Sequence, residues 1–315
     1  MTVSGRITFD RVPFSTTLGN GLDYGQTVEA PARRVVVEAL GASGAVLATT
    51  ATDDSGNYSL EVPASTNLRI RAKAQSVVAS TPAAPASWSV SVRDNTSGDA
   101  LYVLDGSLAS SGTAAQVRNL RAPSGWGGVS YTSARAAAPF AVLDTIYAAI
   151  RFVVQHGPYA GNFPALDVYW STRNTSSVGN FDPATGQIQS TGYYVFQSGV
   201  GNGMYVLGDA SLGAASDTDE FDQHVLAHEF QHYLEDRLSR TDSLGGDHSP
   251  SDRLDLRLAF SEGFADAFSG MVLGDAVYRD SAGVWPSYDA IVFDMESNAA
   301  TAPGWFSEAS VSSIA

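Results

Sequence analysis

The sequence predicts a multidomain protein in which an all-β sandwich is followed by an α+β domain. Its 315 residues exceed what one ordinary hydrophobic core accommodates, which favours two domains. The first third alternates apolar and polar residues in short segments, whereas later segments have helical periodicity. These patterns place the sandwich in residues 1–106 and the α+β domain in 134–315. Residues 107–133 are rich in Ser, Ala and Gly without periodicity, and are predicted to be a linker.

Seven segments of the first domain have the period-two alternation of β-strands. Residues 41–44 and 53–57 separate such segments and have the composition of hairpin turns, because Gly adopts positive φ and Asp or Asn tolerates it. Seven short strands at this spacing indicate a β-sandwich. The predicted strands are residues 4–9, 34–40, 45–51, 58–62, 68–74, 87–92 and 101–104.

Residues 52–60 contain the pattern T-D-x-x-G-x-Y within this region. On this pattern the first domain resembles the carboxypeptidase-regulatory-like, transthyretin-like sandwich family. In that family the module usually accompanies a secreted enzyme, so the resemblance implies an accessory domain. A stabilising or spacing role is favoured over ligand binding, because the segment contains no evident catalytic group.

The second domain begins with a predicted helix over residues 134–155, whose apolar residues form one broad face. His156 follows the helix and suits its C-terminus, where a cation interacts favourably with the helix dipole. Residues 166–170, 187–196 and 203–208 are predicted strands, the last two joined as a loose hairpin. The 203–208 strand is a candidate edge on which an extended peptide could add by main-chain hydrogen bonds.

The strongest chemical pattern is H-E-F-Q-H, formed by residues 228–232. His228 and His232 are four positions apart, so on a helix both imidazoles project from one face and could hold one ion, with Glu229 beside it. The preceding S-D-T-D-E sequence has helix-capping and acidic side chains. It predicts a helix that begins near Asp219, about three turns before the pattern.

Two other sets of side chains near this helix are candidate metal ligands. Asp217, Asp219 and Asp222 offer a less favoured calcium site, since the loop lacks the Gly and the later bidentate Glu of an EF-hand. His224 lies one turn before the H-E-F-Q-H pattern. It is about 12 Å along the axis from His232, too far for both to bind one tetrahedral ion. His224 is therefore predicted to lie behind the ligands or at the rim of the site.

A catalytic zinc site normally takes three protein ligands and leaves one position for water. The extended pattern that ends in a third His would require Gly and His where Glu235 and Leu238 stand, which excludes that class. A second predicted helix, residues 252–272, contains Glu262 and Asp266 on one face. Glu262 would complete a His-His-Glu set, and Asp266 would accept the free N–H of a ligating imidazole.

H-E-F-Q-H followed by E-G-F-A-D is similar to the HExxH plus ExxxD pattern of the thermolysin-like, gluzincin metallopeptidases. The resemblance implies a zincin-like fold for the second domain and Zn2+ as its cofactor. It implies that His228, His232 and Glu262 bind the zinc, that Glu229 is the general base and that Asp266 supports a ligand. The implied reaction is hydrolysis of peptide bonds in a peptide or protein substrate, through a zinc-bound water activated by the general base.

Residues 239–252 make the interval between the two patterns longer than in that family, and their Gly and Pro residues predict a loop over the site. His248 is the only imidazole of this loop. It is a candidate donor to the oxyanion, a part that a His or Tyr has in the family, against the alternative of an ordinary loop histidine. Arg253, Asp255 and Arg257 are predicted to form an ion-paired helix face in preference to a substrate contact.

The composition excludes several classes of partner. The chain has 18 Lys and Arg against 33 Asp and Glu, a formal charge of −15, and a single lysine, Lys73. Nucleic acid is therefore an unsuitable partner, because neutralising phosphates requires basic clusters. Without cysteine the chain has no disulfides and no thiolate ligands. No apolar run appears long enough to be a membrane span.

The resemblance to the family also predicts where the protein is located and where its second domain ends. The N-terminus lacks the basic start and apolar segment of a signal peptide. The resemblance favours an extracellular or periplasmic protein from which a signal peptide has been removed. Residues 307–315 are typical of the beginning of a helix, so we expect either a domain truncated at its C-terminus or a minimal version of it.

Two alternatives to an endopeptidase remain open. The first is an aminopeptidase-type exopeptidase, which would need an acidic residue in the pocket to hold the substrate's α-ammonium group. The second is a binding or adhesion protein with a structural zinc site. The intact Glu of H-E-F-Q-H argues against the second, because a structural site needs no base and is usually closed by a fourth protein ligand.

Overall fold

The computed structural model describes residues 1–15, 21–157, 159, 161–176, 181–194, 203–211, 216–284, 287–298, 300 and 302–315. Within these ranges the chain is a mixed α and β protein, with four sheets and four α-helices. Strands occupy the first third of the chain and all four helices follow them. The α+β class predicted from the sequence is confirmed at this level.

Two five-stranded sheets form most of the N-terminal region. The strands before the first helix are β1 (Thr2–Arg11), β2 (Val28–Pro31), β3 (Val36–Gly41), β4 (Val46–Ala51), β5 (Asn57–Glu61), β6 (Asn67–Lys73), β7 (Gln75–Val78), β8 (Trp88–Asp94), β9 (Ala100–Leu101), β10 (Val103–Asp105), β11 (Ala109–Ser110), β12 (Gln116–Val117) and β13 (Leu120–Ala122). In the first sheet β1 pairs with β2, β5, β12 and β13. The second sheet has the order β10-β6-β3-β4, with β11 also on β6. Apolar side chains of both sheets enter one hydrophobic core.

Residues 107–133 were predicted to be a linker, but they supply three of these strands. β11 pairs with β6, and β12 and β13 pair in parallel with β1. The guanidinium of Arg118 also donates to the Leu68, Ala109 and Ser110 carbonyls. Further along, Trp126 stacks on Tyr24 with ring centroids 3.8 Å apart. The short strands fill open edges of existing sheets, a contact that local periodicity does not indicate.

A third sheet crosses the boundary predicted between the domains. The later strands are β14 (Leu166–Trp170), β15 (Gly192–Tyr194), β16 (Gly203–Val206), β17 (Gly208–Asp209), β18 (Asp217–Thr218), β19 (Val277–Val284) and β20 (Ser287–Asp294). The third sheet has the order β15-β16-β14-β8-β7, with β9 on β8. β8 lies within the predicted sandwich and pairs in parallel with β14. The two regions therefore share a sheet as well as a core.

Helix α1 (Ala138–His156) packs against this core, as its apolar face predicts. His156 Nδ1 lies 3.1 Å from the Phe152 carbonyl oxygen, the helix-end position expected for it. Arg11 and Arg33 of the N-terminal region form ion pairs with Asp144 of the helix, both at 2.5 Å. By length and composition alone α1 could span a membrane, with a mean hydropathy of 1.3. The sequence analysis had predicted that no segment is long and apolar enough to do so. Its apolar residues are instead used in the core, and 67% of the apolar window is buried.

Three further helices follow the third sheet: α2 (Gln223–Leu238), α3 (Leu256–Leu273) and α4 (Glu308–Ser312). α2 was predicted to begin near Asp219, but residues Asp219–Phe221 form a separate 3-10 turn. The carboxylate of Asp222 does not cap the helix and instead accepts from the Ser281 N–H and hydroxyl. His228 therefore lies in the second turn of α2. α3 begins at its cap Asp255, whose side chain accepts from the Arg257 N–H at 3.0 Å.

A fourth sheet of order β17-β18-β19-β20 lies beside these helices. Its main part is the antiparallel hairpin of β19 and β20, which the sequence did not predict. The hairpin predicted from residues 187–196 and 203–208 is present as the antiparallel pair β15 and β16. Residues 195–196 of that prediction, and Gly199 and Gly201 between its strands, lie outside the described residues.

Candidate metal centre

Two adjacent helices bring three potential metal ligands together. His228 and His232 lie on α2, and Glu262 lies on α3, which packs beside it. The Nε2 atoms of the two histidines are 3.1 Å apart. Glu262 Oε2 is 3.2 Å from His228 Nε2 and 3.0 Å from His232 Nε2. His228 and Glu262 are buried, and His232 is partly exposed.

This triangle has the size of one face of a tetrahedral metal site. An ion with ligands at about 2.0–2.1 Å holds neighbouring ligand atoms roughly 3.3 Å apart. The three separations in the protein lie between 3.0 and 3.2 Å. Each residue presents one nitrogen or oxygen to the same point. The group of His228, His232 and Glu262 could therefore bind a metal ion.

Asp266 orients the first histidine. His228 Nδ1 lies 2.9 Å from Asp266 Oδ1, and Asp266 is buried one turn after Glu262 on α3. Donation from Nδ1–H leaves the Nε2 lone pair facing the other two ligands. Burial lowers the pKa of His228, but its hydrogen bonds with Asp266 and Glu262 outweigh burial and raise the pKa well above its ordinary value. The surrounding carboxylates therefore favour positive charge at this position.

The second histidine has a different set of partners, which the sequence analysis did not identify. Ser261 Oγ lies 3.4 Å from His232 Nδ1 and donates to Glu235 Oε2 at 2.7 Å. Burial lowers the pKa of His232, but hydrogen bonds with Glu235 and Glu262 raise it to about 9. For Glu262, burial raises the pKa, but the hydrogen bonds from His228 and His232 hold it well below its ordinary value.

Glu229 does not belong to the triangle and is held by the sheet. Its Oε2 accepts from the Tyr193 N–H at 2.7 Å. Tyr193 is the central residue of β15, which is the edge strand of the third sheet beside α2. The sequence predicted 203–208 as this edge, but β16 lies between β15 and β14 and has partners on both sides. The strand next to the metal centre is therefore β15.

His248 reaches the metal centre from the predicted loop. Its Nε2 lies 3.4 Å from Glu262 Oε2, and its Nδ1 lies 2.8 Å from Glu308 Oε2. The hydrogen bond with Glu308 raises the pKa of His248 above its ordinary value. Glu308 is a buried residue at the start of α4. The His248 imidazole is therefore held beside the ligands with one nitrogen directed at them.

Gly263 explains how α4 comes so close. A Cβ at this position would lie 2.5 Å from the Glu308 carbonyl oxygen and 2.7 Å from Val311 Cβ. The residue after the third ligand therefore has to be small for α4 to pack on α3. Because Glu308 orients His248, this backbone contact links the E-G-F-A-D pattern to the loop histidine.

His224 lies behind the metal centre, apart from the ligands. It is buried, its Nδ1 lies 3.0 Å from Ser269 Oγ, and burial lowers its pKa to about 4. Its ring contacts the Tyr278 ring, which in turn contacts the His228 ring.

The predicted ion-paired face at the start of α3 is present in part. Asp255 and Arg257 form an ion pair at 2.9 Å. The neighbouring Arg253 lies over the Phe306 ring instead of joining that pair.

A cavity of about 490 Å³ opens onto the ligands. It is lined by Tyr193 of β15, by His232 and Glu262, and by residues 241 and 243–245 of the loop between α2 and α3. Glu235 and Ser261 complete the lining. The loop therefore borders the cavity at the metal centre, where the sequence placed it.

The carboxylates considered as a calcium site are arranged differently from that proposal. Asp217 and Asp219 lie close together, but the third member of the group is Asp280 of β19. Asp222 instead accepts two hydrogen bonds from Ser281. Asp280 takes the place predicted for Asp222 because the β19–β20 hairpin, which the sequence did not predict, brings Asp280 to this position.

Four residues that contact the metal centre were not predicted to do so. Glu235 and Ser261 could have been found, because one is three positions from His232 and the other adjoins Glu262. Tyr193 and Glu308 reach the site only through sheet pairing and helix packing. No spacing in the sequence indicates those two contacts.

Comparisons with known proteins add little. No family model matches the sequence, and a search of curated proteins finds no match. Among the solved structures that match is a 9R-lipoxygenase from Cyanothece PCC8801, with 10% sequence identity and a TM-score of 0.20. The match covers 49% of this chain and 23% of the lipoxygenase chain, so this chain spans about a quarter of that protein's length. A similarity this low carries no argument about fold or function.

Proposed function

We propose that the protein is a zinc-dependent peptidase of the thermolysin-like, gluzincin type. One observation carries the proposal: three ligand atoms face one point from α2 and α3, while Glu229 stands next to them without being a ligand. Three protein ligands with a cavity beside them correspond to an open, catalytic kind of site. A structural site would need a fourth ligand, and the metal-ligand group contains only three among the described residues.

The donor set favours zinc over other metals. Two imidazole nitrogens and one carboxylate oxygen occur in catalytic zinc sites and in non-haem iron sites. The H-E-F-Q-H spacing, with a glutamate directly after the first histidine, favours zinc. When bound, zinc lowers the pKa of a water molecule and polarises the scissile carbonyl. The residues that would hold it are His228, His232 and Glu262.

Glu229 has the position of a general base. The Tyr193 N–H holds one carboxylate oxygen at 2.7 Å, so the side chain has a defined orientation toward β15, whose Tyr193 lines the cavity. A carboxylate in that place can accept a proton from water and return it to the leaving amine.

His248 has the position of a hydrogen-bond donor to the oxyanion. Glu308 accepts from Nδ1, which leaves Nε2 directed toward Glu262 and the region of the reacting carbonyl. Because this hydrogen bond raises its pKa, the imidazole is more readily protonated and can donate. In this proposal Glu308 positions His248 and does not itself contact the substrate.

An extended peptide is the substrate that best fits the cleft. The N–H of Tyr193 points away from β16 and toward α2. The N–H and C=O of one residue in a strand point to the same side, so the Tyr193 carbonyl also faces the cleft. A substrate strand could add to this edge through a main-chain hydrogen bond to that carbonyl, because the N–H is already held by Glu229. The cavity along the loop would then receive a substrate side chain.

The surrounding fold supports the same proposal. The two N-terminal sheets with one core are what a carboxypeptidase-regulatory-like sandwich would provide. The pair α2 and α3 with an edge strand beside it is what a zincin-like domain would provide. The sandwich would act as an accessory that shares its core with α1. An extracellular or periplasmic location accompanies this proposal by resemblance to the family.

The test is cleavage of a peptide library by the full chain and by Glu229→Gln, with zinc content measured in both. We expect zinc-dependent cleavage by the native chain and a loss of about 10²- to 10⁴-fold in the variant, because the base is removed while the ligands stay. Glu296→Gln, at an exposed glutamate, is the matched control and should keep full activity.

Three results would count against this assignment. Cleavage by Glu229→Gln at the native rate would show that Glu229 is not the general base. Stoichiometric zinc without cleavage of any peptide would favour the structural-site alternative. Cleavage that disappears when the peptide amino terminus is blocked would favour the exopeptidase. In the cavity Glu235 is the acidic residue nearest such a role, but its Oε2 accepts from Ser261.

A further inference from the structure

A second cavity of about 490 Å³ lies between the N-terminal region and α1, and it shares no lining residue with the cavity at the metal centre. Its walls come from α1, from the turn before β3, and from β7, β8 and the segment between them. Trp88, Tyr147 and Tyr159 contribute aromatic rings, and most of the other lining residues are Ala, Val or Pro. A cavity of this volume with apolar walls is typical of a small-molecule site.

The charged side chains of this cavity are all basic. Among the described residues that line it, the charged ones are Arg34 and Arg151. Both donate to Asp54, Arg34 through Nε at 3.1 Å and Arg151 through Nη1 at 2.7 Å. Asp54 itself does not line the cavity. A guanidinium has five N–H donors, so each arginine retains N–H groups that the contact with Asp54 does not use.

The ion pairs on this side of α1 leave an excess of positive charge. Four arginines share two aspartates: Arg11 and Arg33 pair with Asp144, and Arg34 and Arg151 pair with Asp54. The guanidiniums of Arg33 and Arg151 lie 5.1 and 5.8 Å from the centroid of the Tyr147 ring, so this charge borders an aromatic wall of the cavity. In a chain with a formal charge of −15, a local excess of arginine favours an anionic ligand here.

Arg34 has a backbone conformation that arginine rarely adopts. Its φ is +56°, in the left-handed region where Gly or Asn would stand at less cost. Its ion pair with Asp54 joins side chains that are 43% and 45% exposed, and a pair this exposed contributes little to stability. Stability therefore does not account for an arginine in this turn. Strained residues that are not glycine concentrate at binding and catalytic sites.

We propose that this cavity binds a small organic carboxylate with an aromatic or apolar body. The guanidiniums of Arg34 and Arg151 would hold the carboxylate, because their planar N–H donors match its two oxygens. The rings of Trp88 and Tyr159 would contact the body of the ligand. An inorganic anion would leave the apolar walls uncovered, and a neutral ligand would leave the guanidinium N–H groups unused. The two features together therefore select a ligand that has both parts.

This inference does not depend on the peptidase activity, since the cavity contains none of the metal ligands. It gives the N-terminal region a part in ligand binding, the role that the sequence favoured less. Such a carboxylate is either a free acid or the last residue of a peptide, and the chemistry that the cavity recognises is the same for both.

The experiment is calorimetric titration of the zinc-loaded full chain with 3-phenylpropanoate. We expect one site per chain with a Kd of about 0.1–1 mM, as suits a ligand of about eleven non-hydrogen atoms. Inorganic phosphate lacks the apolar body and 3-phenylpropanamide lacks the charge, so each should bind at least about tenfold more weakly. Equal affinity for the amide or for phosphate would overturn the proposal.

A second probe distinguishes the two sources of the carboxylate. N-acetylphenylalanine adds an acetamide group that represents the last peptide bond of a chain. Tighter binding than that of 3-phenylpropanoate would identify a peptide terminus as the ligand, and weaker binding would identify a free acid. Absence of binding by both compounds would overturn the proposal.

Variants at the two arginines make the test specific. Arg151→Gln and Arg34→Gly should each weaken binding of 3-phenylpropanoate at least about tenfold, with zinc content and peptide cleavage unchanged. Arg34→Gly should not lower the Tm, because glycine adopts the positive φ without strain. Arg173→Gln, at an exposed arginine outside the cavity, is the matched control and should bind normally. Native affinity in both Arg151→Gln and Arg34→Gly would place the ligand elsewhere, including at the zinc, and would overturn the proposal.

Discussion

The candidate metal centre on α2 and α3 and the acidic group of Asp217, Asp219 and Asp280 are both polar and largely buried, but only the first combines groups of opposite charge. In the metal centre, imidazoles lie within hydrogen-bond distance of carboxylates, as in the His228–Asp266 contact of 2.9 Å. In the acidic group, carboxylates face one another and no basic side chain of the described residues forms a salt bridge with them. Burial and mutual repulsion raise the pKa values of Asp219 and Asp280, so protons reduce the charge of this group.

The two groups should respond separately to loss of a ligand. Glu262→Ala removes one ligand of the zinc triangle, and we expect zinc affinity to fall by more than about a hundredfold, since even loss of an orienting partner costs 10- to 100-fold. Peptide cleavage should be lost with the metal. Metal analysis and a peptide-cleavage assay of the purified variant measure the two effects.

The converse variant changes the acidic group. Asp280→Asn should keep native zinc affinity, because Asp280 is not one of the three ligands. If Asp280→Asn lost zinc while remaining folded, the two groups would form one coupled site. Circular dichroism of each variant establishes whether the fold is retained.

A smaller effect is expected from the residues that act beside the metal without binding it. His248→Ala should lower kcat by about 10²- to 10³-fold with KM and zinc content nearly unchanged, because it removes a donor that acts in the transition state. Glu308→Ala should lower kcat about tenfold, the equivalent of one hydrogen bond. Steady-state kinetics of the zinc-loaded variants on one cleaved peptide measure both changes.

Asp247→Asn is the matched control on the same loop, since Asp247 is exposed and adjacent to His248. It should have native kinetics. A native kcat in His248→Ala would reject the oxyanion role and restore the alternative of an ordinary loop histidine. A fall in zinc content in that variant would instead make His248 part of the metal-binding group.

The contrast between the two groups also describes what the sequence could predict. His228, His232, Glu262 and Asp266 were found because helical spacing of four residues places side chains on one face, and the structure brings these residues together. The acidic group was only half found. Asp217 and Asp219 are adjacent in sequence, but Asp280 joins them through a hairpin that no local pattern indicated.

The same distinction applies to the fold. Helix α1 and strand β14 were predicted closely, because their periodicity is local and regular. The pairing of β8 with β14 and the addition of β12 and β13 to β1 were not predicted. These contacts join distant segments through backbone hydrogen bonds, which depend little on side-chain pattern. The domain boundary predicted from composition, at residues 107–133, therefore divides a sheet and a core that are continuous in the structure.

The smallest expected effect concerns pH and would refine the comparison further. Burial and the charge of Asp217 raise the pKa of Asp280 to about 7, with His228 acting in the opposite direction. Asp219 and Asp222 face the same group and have raised pKa values for similar reasons. A carboxyl group whose folded pKa is above its ordinary value of about 3.9 binds more protons in the folded state. The stability that this group contributes should therefore fall as pH rises from about 4 to about 7.

The measurement is the difference in Tm between the native chain and Asp280→Asn from pH 5 to pH 8, in which contributions shared by the two proteins largely cancel. We expect the native Tm to fall by a few degrees relative to that of the variant across this range. Asp289→Asn, at an exposed aspartate of the same hairpin, should follow the native chain. A difference in Tm that does not depend on pH would mean that Asp280 is already ionised in the folded protein at pH 5.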